Sequence, residues 1–301
     1  PASPTRPSAR ASHTTSTSAS PSAVSDTLRY RETQSAPLQL DVAGILRKRA
    51  PGIPGFVARL LARIVRQDEL NRLLRVAFPG AGSDFSRRIL RELDIDVQVS
   101  GIENIPDTGR LVFASNHPLG GLDGITLIAL LGERYGDENI IFPVNDMLMH
   151  VRPLQGVFTP INKYGRQGRE RASGLQRAFE GDGHVIIFPA GLVSRLGKEG
   201  IRDLEWKKTF LAMAASTGRT IVPVRFEARN RMHFYRLARW RKRLRIPVNL
   251  EQAFLPAELC AARGRTFRIT FLPPVDAAAH LDACPAPRAA ARAIRDMVYA
   301  R

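Results

Sequence analysis

From Asp96 onward the chain alternates between short apolar or β-branched runs and segments of helical spacing, and this alternation restricts the fold more than any other feature of its 301 residues. The runs at Asp96–Val99, Leu111–Ala114, Ile140–Val144, Val157–Ile161, His184–Phe188, Thr220–Phe226 and Phe267–Leu272 have the length and composition of strands. Helical patterns fill several intervals, at Gly124–Tyr135, Arg166–Phe179, Leu204–Ala215 and Met232–Leu244, and a last one covers Pro287–Arg301. Such a string predicts an α/β fold, with a central, mostly parallel sheet flanked by helices. Apolar residues make up 44% of the chain, enough for a full core.

Upstream, residues 37–94 carry helical periodicity. Between Leu40 and Phe78, the residues Phe56, Val57, Leu60, Leu61, Ile64 and Val65 form one apolar stripe with Arg59, Arg63 and Arg66 off it, and a second pattern runs Phe85–Leu93. A basic amphipathic helix of this kind can lie in a membrane interface, or it can pack on the domain with its charges in water. The first 22 residues are almost all Pro, Ala, Ser or Thr without an apolar h-region, so residues 1–36 are expected to be a disordered tail and not a secretory signal. The expected organisation is therefore a tail over 1–36, a helical region over 37–94 that can associate with a membrane, and an α/β domain over 95–301.

Lys and Arg number 45 against 28 acids, a formal net charge of +17, which predicts attraction to nucleic acid or to an anionic membrane surface. The segment RNRMHFYRLARWRKRLR, from Arg229 to Arg245, has eight basic residues and no acid, interleaved with Phe234, Tyr235, Leu237 and Trp240. Arginines and aromatics suit lipid headgroups, stacked bases or an acidic carrier protein. No helix-turn-helix, zinc or RNA-binding signature accompanies them, so nucleic acid is not expected. The longest apolar stretch, Ile125–Leu131, is far too short to cross a bilayer. Cys260 and Cys284 are too far apart in sequence for a C-x-x-C site, which indicates neither a disulfide framework nor zinc.

The run FASNHPLGGLDGITLIAL, residues 113–130, places His117 and Asp123 between a strand and a helix, at the carboxyl end of the strand, where open α/β sheets bind their ligands. Pro118 restricts His117, Gly120 and Gly121 permit a tight reversal, and Asp123 falls near the start of the helix. Taken singly, Asp123 can be a helix cap and His117 a turn residue. Taken together, a carboxylate can hold one imidazole nitrogen and leave the other to take a proton from a hydroxyl. There is no G-x-S-x-G, so a Ser-His-Asp hydrolase is not indicated, and no third ligand at a convincing spacing suggests a metal.

The segment SNHPLGGLD resembles the His-Asp box of the glycerolipid acyltransferase superfamily, the lysophosphatidic acid acyltransferase-like enzymes, although five residues intervene here between His117 and Asp123 where the family usually has His-x-x-x-x-Asp. GVFTPINKYGR from Gly156 is similar to the second block, IIFPAGLVSR from Ile186 to the third and IVPVRFE from Ile221 to the fourth. The third block of glycerol-phosphate enzymes reads Phe-Pro-Glu-Gly; Ala190 stands here in place of the acid associated with that acceptor. With HPLGGLDG, FPAGLVSR and DLEWKKTF, the chain resembles the hemolysin-like branch, related to bacterial enzymes that O-acylate lyso-aminolipids such as lyso-ornithine or lyso-glycine lipids.

The resemblance implies an O-acyltransferase that moves a fatty acyl group from acyl carrier protein or acyl-coenzyme A to a lysolipid hydroxyl, with these thioesters as co-substrates and no other cofactor. His117 and Asp123 would be catalytic, and Asn116, Gly120, Gly121, Lys163, Arg166, Pro189, Gly191 and Arg195 would bind substrate. Lys163 matches the basic residue of the second block, and Lys163, Arg166 and Arg195 could anchor an anionic acceptor or the donor's phosphopantetheine. Because the substrate is a lipid, an anionic membrane is the favoured partner of the basic surface, at the cytoplasmic face of the inner membrane. The alternative is a catalytically inactive basic protein that binds lipid or nucleic acid, its dyad broken by the longer spacing.

Overall fold

A computed structural model describes residues 36–49, 52, 54–145, 148–161, 169–245 and 250–300. Apart from Ala36, the tail expected over residues 1–36 lies outside them, as do Lys163 and Arg166. Four helices come first: α1 (Val42–Arg49), α2 (Gly55–Ile64), α3 (Gln67–Ala77) and α4 (Gly82–Glu92). The single helical pattern read over residues 40–78 is thus broken into three. Pro54 precedes the start of α2, and Arg66, in a left-handed conformation at φ 55°, separates α2 from α3. The stripe on α2 also divides: Ala58 is buried and Val57, Leu61 and Ile64 half-buried, while Phe56 and Leu60 remain 64% and 54% exposed.

The sheet then builds from β1 (Asp96–Ser100), β2 (Leu111–Ser115), α5 (Gly121–Tyr135), β3 (Ile140–Val144), β4 (Phe158–Pro160), α6 (Arg169–Glu180) and β5 (His184–Ile187). A two-stranded hairpin, β6 (Arg195–Gly197) and β7 (Gly200–Arg202), precedes α7 (Thr209–Ser216) and β8 (Thr220–Glu227). The chain finishes with α8 (Met232–Arg243), α9 (Leu255–Cys260), β9 (Thr266–Phe271), β10 (Val275–Asp276), α10 (Ala277–Asp282) and α11 (Pro287–Tyr299). The strand order is β1-β9-β8-β2-β5-β3-β4, with β10 beside the first residues of β8. Strands β8, β2, β5, β3 and β4 run parallel; β9 joins β8 antiparallel, and β1 follows β9. The fold is the α/β architecture with a mostly parallel sheet that the alternation predicts.

Strand β2 shows why its sequence is apolar throughout. It is central, every residue of it is buried, and both its faces are covered. Leu111 and Phe113 point into a core shared with Phe85 and Ile89 of α4 and Leu127 and Ile128 of α5. Val112 and Ala114 point the other way, against Trp206, Phe210 of α7 and Ile294 and Val298 of α11. Burying side chains of this size contributes about 1.5–3 kcal/mol each, so both layers hold the sheet firmly. Helices α3 and α4 thereby share one core with the sheet.

In α8, Phe234 and Tyr235 turn inward and pack with Val193 of the segment before β6. They are core residues and not part of an aromatic interface; only Trp240 of that set is well exposed, at 57%.

Candidate active site

The carboxyl ends of three adjacent strands, β8, β2 and β5, meet at one edge of the sheet, and the His117 loop leaves from the middle one. Asn116 closes the loop against β8: its Nδ2 donates to the Phe226 carbonyl at 2.9 Å, and the Phe226 N–H donates to its Oδ1 at 2.7 Å. Both ends of this buried amide are thereby engaged. The imidazole of His117 follows, its ring stacked on Phe188 just past β5, with centroids 4.1 Å apart and planes at 20°.

His117 Nδ1 lies 2.8 Å from Asp123 Oδ2, a close contact bent away from the line of an ideal N–H···O bond. The His117 side chain is 17% exposed and that of Asp123 fully buried. Asp123 is the third residue of α5, and its Oδ2 also accepts the backbone N–H groups of Leu119 at 2.9 Å and Gly120 at 3.0 Å. The acid at this position satisfies donors that a helix start would otherwise leave open. Burial pushes the carboxyl pKa up, and the contact with His117 and the two N–H groups oppose that shift. The site thus holds a carboxylate where water cannot solvate it, against an imidazole that reaches solvent with its other edge.

Gly120 makes the loop possible. Its φ of 92° and ψ of −119° suit glycine alone, and a Cβ there would stand 3.2 Å from Leu255. This turn, with the carboxylate hooked back to residues 119 and 120, accommodates the five residues between His117 and Asp123. Gly120→Ala is expected to cost about 1–3 kcal/mol of stability, read as a lower Tm in a thermal melt; an unchanged Tm would show that the turn can relax without glycine.

The other expected residues fall into distinct places. Gly121 opens α5 and is exposed. Pro189 is buried, its carbonyl accepting the Lys207 N–H at 3.1 Å, and Gly191, at φ 66°, donates its N–H to the Phe188 carbonyl at 2.9 Å. Arg195 is turned into an ion pair: its Nη2 donates to Oε1 of the fully buried Glu251 at 2.9 Å, and Arg241 donates to the other carboxylate oxygen at 2.8 Å. Burial lowers the Arg195 pKa, and the Glu251 charge opposes this.

Phe188, Ser194, Asp203, Asn230 and Tyr235 were not singled out from sequence for this site. Ser194 donates its N–H to the His117 carbonyl at 2.8 Å. Asn230 reaches the Pro118 carbonyl at 3.3 Å, and Tyr235, its hydroxyl pKa pushed up to about 12 chiefly by burial, reaches the same carbonyl at 3.4 Å. Phe188 and Ser194 do fall within the quoted third block, but stacking and backbone capture have no sequence signal. Among the described residues, no group of His, Cys, Asp and Glu is placed to hold a metal ion.

A His–Asp pair at the end of a parallel strand, with no nucleophilic side chain in the pair, can act as a general base for direct group transfer. The chain belongs to the acyltransferase family, whose model matches residues 43–300, and it is an acyltransferase. It is 41% identical over 264 residues to the lyso-glycine lipid O-acyltransferase of Bacteroides thetaiotaomicron, covering 86% of this chain and 96% of that one. It is 40% identical over 264 residues to the protein of the same name from Phocaeicola vulgatus, covering 86% and 94%. Among solved structures, the 1-acyl-sn-glycerophosphate (LPA) acyltransferase PlsC of Thermotoga maritima aligns over 92% of this chain and 94% of that one, with a TM-score of 0.43 and 18% identity.

Proposed function

We propose that this protein transfers a fatty acyl group from an acyl thioester, carried by acyl carrier protein or coenzyme A, to the hydroxyl of a lyso-glycine lipid. The observation that carries the reading is the 2.8 Å approach of His117 Nδ1 to the buried Asp123 carboxylate. In the reaction, Nε2 of His117 takes the proton of the acceptor hydroxyl as its oxygen attacks the thioester carbonyl. The C–O ester bond forms, the C–S bond breaks, and the proton passes to the departing thiolate.

The acceptor class is supported by the name shared by both curated relatives, and by the buried, uncharged Ala190 in the third block. Among the described residues, no helix is long and apolar enough to cross a membrane. The protein works peripherally, at the cytoplasmic face of the inner membrane: Phe56 and Leu60 on α2 stand exposed beside Arg59 and Arg63, and Trp240 on α8 beside Arg236, Arg239 and Arg243. Labelled acyl transfer from both thioesters to a panel of lysolipids tests the reading. Product is expected with lyso-glycine lipid; product only with lysophosphatidic acid would overturn the acceptor, and equal transfer to all would remove the specificity.

A further inference from the structure

The first acid of the DLEWKKTF segment, Asp203, lies at the site although it is far from it in sequence. Asp203, 3% exposed, follows β7 directly. Its Oδ1 accepts the backbone N–H of His117 at 3.1 Å, across 86 residues of sequence, and the Ser194 hydroxyl at 2.6 Å. Its Oδ2 accepts the indole N–H of Trp206 at 2.9 Å. The main chain of Asp203 is held in turn: its N–H donates to the Tyr299 hydroxyl at 2.7 Å, and its carbonyl accepts from Arg295 at 2.7 Å, both on α11. A buried carboxylate with three donors is fixed in place, since any rotation would leave a polar group without a partner.

We infer that Asp203 is a positioning residue for His117: with the Ser194 N–H on the His117 carbonyl, it clamps both sides of the histidine's main chain and so fixes where the imidazole stands between Phe188 and Asp123. Nothing in the reaction requires Asp203 to touch substrate. A buried acid is a costly way to satisfy one backbone N–H and two side-chain donors, which neutral groups can do as well. A charge-assisted acceptor is stiffer, and an error of about 1 Å in a catalytic group lowers turnover about 100-fold. The hairpin β6–β7 then has a function, since it brings Ser194 and Asp203, one before it and one after it, to the same point. The inference rests on the acyltransferase reading of His117.

Asp203→Asn keeps the shape and removes the charge. In the full chain it is expected to lower kcat about 10–100-fold with KM for donor and acceptor within about twofold, and to shift or broaden the imidazole ¹⁵N signals of His117, identified by their loss in His117→Ala. The comparison is Arg219→Lys, at the opposite end of β8, where the buried guanidinium donates to the carbonyls of Phe179 and Gly183 at 2.7 Å. It is expected to lower Tm while leaving kcat and the His117 signals as in the wild type. Trp206→Phe removes only the donor to Oδ2 and is expected to lose less kcat than Asp203→Asn. A kcat loss in Asp203→Asn no greater than in Arg219→Lys, or unaltered His117 signals, would overturn the inference. If the wild type acylates no acceptor, the proposed function fails by itself, and the spectra still decide whether Asp203 positions the ring.

Discussion

His117→Ala is expected to reduce kcat for acyl transfer by about 10²–10⁴-fold, the range that a positioned general base contributes. The chain itself should survive the change. The ring is not one of the core side chains; it lies over Phe188 at the sheet edge, and the structural bonds at this position are made by its main-chain N–H and carbonyl, which alanine retains. Steady-state kinetics beside a thermal melt separate these effects. A large loss of kcat at nearly constant Tm is the expected result, and activity within about tenfold of wild type would remove His117 from the role of base. The comparison must be made at saturating acceptor, because a loss confined to KM would point to binding and not to proton transfer.

The parts of this molecule that could be read from its sequence are those whose physics is local. The seven principal strands announce themselves by apolar or β-branched runs, and β2 in particular has no polar face because it has no solvated face. The hairpin β6–β7 and the two-residue β10 escape such a reading. Their residues, among them Arg195, Gly197, Gly200 and Arg202, have neither the length nor the alternation that signals a strand. The short helices α9 and α10 are missed for the same reason of length.

The site divides in the same way. His117 and Asp123 could be paired from sequence because one tight turn joins them, and Gly120 and Gly121 announce that turn. What surrounds the pair is assembled by the sheet. Phe188 arrives from β5, Asn230 from beyond β8, and Asp203 from beyond the hairpin, and no spacing rule connects positions that only the strand order brings together. Phe234 and Tyr235 show the converse difficulty. A basic, aromatic segment reads as a surface, yet consecutive aromatics on a helix can both be turned into the core, while Trp240, Leu244 and several arginines of the segment stay exposed.

At Asp123 a pair of variants is expected to separate catalysis from stability. In Asp123→Asn the amide oxygen can still accept the N–H groups of Leu119 and Gly120, so the turn persists, while the charge proposed to orient the imidazole is gone; kcat is expected to fall about 10²–10⁴-fold. In Asp123→Ala those buried donors lose their acceptor as well, at about 1–3 kcal/mol each, so Tm should fall together with kcat. The pH dependence of the two stabilities gives a further distinction. Burial raises the Asp123 pKa above its unfolded value, so between those two values the folded chain holds more protons than the unfolded one. The wild type's protonated-acid stability is complete below the unfolded value and is lost as pH climbs through the raised, folded one. Asp123→Asn carries no such proton, and its Tm relative to wild type should therefore rise with pH across that window. A Tm difference that stays flat with pH would mean that the contact with His117 and the two N–H groups fully offsets the burial of the charge.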